Sequence, residues 1–223
     1  MFFNRKKKEK DKMKIMIDKA NIKIDDGKVI IDINSAQLDS ILNMGKVRLS
    51  ALKPKDVFKI GDEEFIVLEQ TDAGTNVIAK QFAYSDKGFG DCADWKQSHI
   101  RSLLNGEYYN KISKLVGESN IIPMERDLTS IDGLDDYGTC IDKITLLSAS
   151  EYAKYHKILG LKSNYPDWWW LITPASTPSN NYSRFVCCVG SDGVLVWRRC
   201  GFCDGVRPFL TLDSSIFVLG NKD

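Results

Sequence analysis

At 223 residues with 43% hydrophobic content, the chain is long enough to bury one full core, and a single domain with an appendage is expected. Its 31 Lys and Arg against 30 Asp and Glu leave a formal charge of +1, so no global field draws it to nucleic acid or an anionic surface. No stretch reaches the roughly 18 to 20 consecutive apolar residues that cross a bilayer, which excludes a membrane-spanning helix.

Charge is concentrated at the start. Arg5, Lys6, Lys7, Lys8, Lys10, Lys12 and Lys14 face only Glu9 and Asp11, so residues 1–14 read as a solvated basic arm, the one place left for nucleic acid. No apolar run of signal-peptide length follows Met1-Phe2-Phe3, so cytoplasmic synthesis without a signal peptide is expected, with a phage virion as the other destination. Cys92, Cys140, Cys187, Cys188, Cys200 and Cys203 are too dispersed for a disulfide framework and read as free thiols.

Ile15 to Ile33 alternates around Asp25-Asp26-Gly27 and predicts a hairpin. Ser35 then caps a short helix carrying Leu38, Ile41 and Leu42, with Gly45 as its stop, and this subdomain is expected to span residues 15–52. The main domain, residues 53–223, begins with a hairpin from Val57 across Gly61-Asp62 to Leu68, followed by a strand from Asn76 to Phe82. Asp94 or Ser98 starts a helical region in which Ile100, Leu103, Leu104, Tyr108, Ile112 and Leu115 recur at helical spacing. Gly106 splits it and Gly117 ends it. Glu125 to Ile131 and Cys140 to Leu147 read as strands. Ser148 and Glu151 have the spacing of a capping box for a helix that stops at Gly160, and strands and turns follow Asp167.

Trp168-Trp169-Trp170 must alternate between two faces of a strand. The triplet is either an aromatic staple of the core or a stacking platform. The loop Thr173 to Ser183 precedes a hairpin, Arg184 to Val189 and Val194 to Arg199, turning at Gly190-Ser191-Asp192-Gly193. Tyr182, Arg184, Phe185, Trp197, Arg198, Arg199 and Phe202 crowd into about twenty residues of the kinds that dominate binding hot spots. Gly205 is expected at a turn, and Arg207 is expected to bond carbonyls or a carboxylate inside the fold. Cys187-Cys188 with Cys200 and Cys203 could hold zinc only if the adjacent pair did not diverge across a strand. His99 and His156 have no nucleophile or metal motif beside them. The Asp-rich turns lack EF-hand spacing, and no metal or cofactor is expected.

Ser98-x-Ile100-Arg101-Ser102-Leu103-Leu104-Asn105-Gly106, Asp142-Lys143-Ile144-Thr145-Leu146-Leu147-Ser148 with Glu151, Trp168-Trp169-Trp170-Leu171-Ile172-Thr173-Pro174, Ser191-Asp192-Gly193 and Gly205-Val206-Arg207-Pro208 follow in order. This series resembles bacterial and phage domains of the C-type lectin fold that end like formylglycine-generating enzymes. More narrowly it resembles the variable proteins of diversity-generating retroelements of gut Firmicutes and their phages, over about Val57 to Val218. The resemblance implies a non-catalytic, hypervariable receptor-recognition protein. Its ligand-binding residues would be Arg184, Phe185, Ser191, Val196, Trp197, Arg198, Arg199, Gly201, Phe202 and Cys203, and its partner an unknown protein or cell-surface ligand. The cysteine pair of the formylglycine-generating site is not recognisable in Cys200-Gly201-Phe202-Cys203, and the Glu-Pro-Asn and Trp-Asn-Asp calcium motifs of sugar-binding lectins are absent. The expected fold is α+β, C-type-lectin-like, with two or more helices on small antiparallel sheets and an N-terminal hairpin-helix arm. A formylglycine-generating-type or thiol-redox enzyme using Cys200 and Cys203, and a structural subunit of a phage particle, are the alternatives; an oligomer is compatible with each.

Overall fold

In a computed structural model the described residues are 21–25, 28–32, 34, 36, 38, 43, 45, 46–159 and 168–220. The chain divides into two compact units, residues 1–45 and 46–223. In the first, β1 (Asn21–Asp25) pairs antiparallel with β2 (Lys28–Asp32), Asn21 opposite Asp32 and Asp25 opposite Lys28. The basic arm, the hairpin's expected start and most of the helix expected after Ser35 lie outside the described residues. The second unit begins at Lys46, and its β3 (Val47–Arg48) pairs with β17 (Phe217–Gly220).

The second unit is α+β. One sheet runs β11 (Ile144–Thr145), β16 (Phe209–Leu212), β6 (Thr75–Ala79), β5 (Glu63–Gln70), β4 (Val57–Ile60), β17, β3, with β8 (Ile121–Ile122) also on β16. Phe65, Val67, Val77 and Leu210 enter one cluster, while Ile66, Leu68, Ile78 and Phe209 enter another. A run such as Phe65-Ile66-Val67-Leu68, buried throughout, belongs to a strand covered on both faces.

Helices supply the two covers. Ser98 Oγ accepts from the Arg101 amide (3.0 Å) and starts the helix His99–Leu103. It passes through a π-helical turn, Leu104–Tyr108, containing Gly106, into the helix Tyr109–Val116. Ile100, Leu104, Tyr108 and Ile112 face the first cluster, but Leu115 is exposed. The second cover is the helix Ala149–Leu159, whose Tyr152, Tyr155 and Leu159 enter the second cluster. Its capping box is complete: the Glu151 amide donates to Ser148 Oγ (3.1 Å) and the Ser148 amide to Glu151 Oε2 (2.7 Å). The expected strand at Glu125–Ile131 is shorter, β9 (Met124–Asp127), and the one at Cys140–Leu147 is broken into β10 (Thr139–Asp142), paired antiparallel with β9, and β11, paired with β16.

Glu151 also receives Arg126 Nη1 (2.8 Å) and Nη2. Burial pushes the Glu151 carboxyl up, but the Arg126 hydrogen bonds and charge, with the Ser148 amide, outweigh it and hold the group below its usual range. A depressed carboxylate contributes stability that is present above its unfolded value and lost as pH falls through the folded one. Glu151→Gln should therefore be less stable than the parent near neutrality. In denaturant melts the gap should close as pH drops from about 7 to about 3; a gap constant with pH would contradict this.

Candidate functional site

The second sheet runs β14 (Leu195–Arg199), β13 (Phe185–Val189), β12 (Trp169–Pro174), β15 (Cys203–Val206), β7 (Tyr84–Gly88). β12 is its anchor. Trp169 and Trp170 are fully buried on opposite faces, Trp169 in the second cluster and Trp170 in the first. Trp170 Nε1 donates to the Lys87 carbonyl (2.7 Å), and Trp169 meets Tyr152 edge to face at 5.6 Å. The triplet is thus a core staple, with only Trp168 half-buried. Arg207 is fully buried, its guanidinium over Trp169 and its Nε donating to the Ala79 carbonyl (3.0 Å), as expected of a structural arginine. Gly205 sits inside β15 rather than at a turn. A Cβ there would meet Phe82 ring carbons at 2.6 Å, so glycine is required by close approach.

From this anchor the chain passes outward through β13 to the edge strand β14. The turn between them uses Gly193 at φ +82°, and Cys187 stands opposite Trp197. Exposure then rises along β14: Leu195 and Val196 still pack on the two clusters, whereas Trp197 is 57% exposed. Arg199 and, across the pairing, Arg184 are exposed, and Phe185 is half-buried, stacked on Tyr182 at 4.5 Å with the Arg199 guanidinium 5.7 Å from its ring centre.

The ten expected ligand residues do not form one patch. Phe185, Trp197 and Arg199 share one face of the hairpin, Arg184 precedes Phe185 at its end, bonded to Cys200, and Gly201 and Phe202 lie in the loop beyond; Phe202 is 50% exposed. Ser191 is exposed at the opposite end, in the turn, and Cys203 is exposed at the start of β15. Val196 is half-buried against the first cluster and belongs to the scaffold. Arg198 differs from its neighbours. Its guanidinium lies 4.5 Å from the ring centres of both Trp168 and Phe202, and its Nη1 donates to buried Asp204 (2.6 Å), so it is a packing residue.

A cavity of about 310 Å³ opens at the Arg199 end, lined by Gly90, Asp91, Arg184, Arg199, Cys200, Gly201 and Phe202. Gly90 and Asp91 carry no motif that pointed to them. They arrive because the Phe89 amide donates to the Cys200 carbonyl (2.9 Å) and the Cys200 amide to the Arg184 carbonyl (2.9 Å). Cys200 itself is buried, and burial pushes its thiol up to about 12. Nucleophilic and redox thiols are shifted the other way. Among the described residues no group of His, Cys, Asp and Glu could hold a metal ion, and no helix is long and apolar enough to cross a membrane.

Residues 69–214 match the family model described as Domain of unknown function (DUF6273). The chain belongs to that family. The DUF6273 segment begins within β5 and ends just after β16, so it takes in both helical covers, the tryptophan anchor, the hairpin and the cavity. No curated protein and no solved structure matches the chain.

Proposed function

We propose that the chain is a non-catalytic ligand-binding protein of C-type-lectin-like fold, a variable protein of a diversity-generating retroelement, whose hairpin and following loop meet a protein or cell-surface ligand. The observation that carries this reading is the contrast within one sheet: β12 is buried along its whole length, while two strands away Trp197, Arg199 and the nearby Phe202 project into solvent. A surface can exchange its side chains between related ligands only if its backbone is fixed by contacts elsewhere. Here β13 is held by β12, and the loop after β14 by Phe89.

Large aromatic and guanidinium groups in the open usually mark recognition, since they bury much area when a partner covers them. The test separates display from packing. Trp197→Ala should leave thermal stability within about 1 kcal/mol of the parent and weaken ligand binding by about 1–3 kcal/mol. Arg198→Ala should lower stability itself, because Asp204 loses a charged partner in a buried setting. Equal stability losses in both variants would refute the display reading. The retroelement origin is checked in the surrounding DNA. A near-copy of the codons for residues 175–210, differing mainly at adenines and lying beside a reverse transcriptase, is the expected finding.

A further inference from the structure

The free edge of β14 and the cavity at its end point to one class of ligand. Antiparallel pairs alternate between those that exchange backbone hydrogen bonds and those that do not. The Cys200 amide donates to the Arg184 carbonyl and the Gly190 amide to the Val194 carbonyl, which fixes the phase. With Val186 opposite Arg198 and Cys188 opposite Val196, those pairs carry the bonds to β13. Leu195, Trp197 and Arg199, opposite Val189, Cys187 and Phe185, therefore turn their N–H and C=O groups away from β13. Among the described residues no strand pairs with that side of β14. The Arg199 carbonyl already accepts the Phe202 amide (3.0 Å), so the donor and acceptor pairs of Leu195 and Trp197 with the Arg199 N–H form the template for an added strand.

The template ends at the cavity, which Arg184, Arg199 and Asp91 line. Among the described residues neither arginine forms an ion pair. Two guanidinium groups against one carboxylate favour an anion of single charge, and the fork of Arg suits a carboxylate. Asp91 works against a second negative charge and offers an acceptor to a ligand N–H. Phe202 supplies an apolar wall.

We propose, resting on the binding role given above, that the ligand presents an extended acidic peptide segment. It adds as a further strand along Leu195, Trp197 and Arg199 and seats one Asp or Glu carboxylate between Arg184 and Arg199. An acidic oligosaccharide would satisfy the cavity but leave the row of edge amides and carbonyls unused, which is why the peptide is favoured.

The experiment pans a random heptapeptide display library on the immobilised full chain and measures synthetic copies of the enriched sequences. Enriched peptides should carry an acid at one position. Changing that Glu to Gln, or making Arg184→Gln or Arg199→Gln in the protein, should each weaken binding about tenfold, the factor that loss of a charge-assisted bond implies. Asp91→Asn should strengthen it. N-methylation at alternate peptide positions should abolish binding in one register and be tolerated in the other. Peptides without acids, or indifferent to methylation in both registers, overturn the proposal. If such peptides still lose affinity on Trp197→Ala, the binding surface stands and only its peptide class is wrong. If they bind Trp197→Ala and Arg184→Gln as well as the parent, the surface assignment falls too. Failure to enrich any peptide counts against the peptide class alone, while a ligand of another chemistry that depends on Trp197 keeps the wider reading.

Discussion

Replacing Trp170 with alanine is expected to cost about 3–5 kcal/mol, the range for large aromatic truncations in a packed core. Three losses coincide at this site. The indole is fully buried among the first cluster, it meets Phe89 edge to face at 5.7 Å, and its Nε1 holds the Lys87 carbonyl of β7. Truncation opens a cavity and frees a strand at once. With total stabilities of roughly 5–15 kcal/mol for native domains, such a loss takes much of the folded margin. Thermal melts should show a drop of about 6–20 °C, from the usual 2–4 °C per kcal/mol at this size. Trp170→Phe should recover part of it, since the ring stays and only the hydrogen bond and some area go. A Trp170→Ala protein melting within a degree or two of the parent would mean that β12 is not the anchor.

Asp142→Ala carries the second large effect. Asp142 is nearly fully buried at the end of β10, and it collects the Trp95 Nε1 (2.7 Å) and Arg101, which forks onto it through Nε and Nη2 (both 2.9 Å to Oδ1). The Cys140 thiol donates to it as well (3.4 Å). Removing the carboxylate leaves an indole N–H and a partly buried guanidinium without their acceptor, at an expected cost of about 3–5 kcal/mol. Asp142→Asn keeps an acceptor for Trp95 but loses the charge opposite Arg101, and should cost less, about 1.5–3 kcal/mol. Denaturant midpoints of the two variants check the order. Equal midpoints would show that charge pairing contributes nothing here.

Much of this framework is legible in the sequence because it is local. Ser148 and Glu151 announce their reciprocal bonds by spacing alone, Asp94 or Ser98 announces a helix start, and three consecutive indoles on a strand cannot all be exposed. What escaped was long-range. Asp142 and Arg101 stand forty-one positions apart, and nothing in either segment states that they meet. Arg198 looked like its neighbours Trp197 and Arg199 because alternation tells which face a residue takes, not what waits there. Trp168 and Asp204 decided its role. Gly90 and Asp91 reach the cavity through backbone bonds to Cys200, which leave no mark on side-chain pattern. The pairing of Val47–Arg48 leaves no mark for the same reason, since its partner lies near the other end of the chain.

The architecture divides labour between a buried frame and an exposed edge, and that division is the claim most open to measurement. The exposed set Arg184, Trp197, Arg199 and Phe202 shares no ion pair with the frame among the described residues. The Phe202 ring lies against Arg198. The decisive measurement is the thermal unfolding of the full chain with Arg184, Trp197, Arg199 and Phe202 all changed to serine. The account predicts one cooperative transition within about 5 °C of the parent, since isolated surface changes usually stay within ±0.5 kcal/mol each. A melt lowered by more than about 10 °C, or a loss of cooperativity, would show that these side chains hold the fold together rather than face a partner.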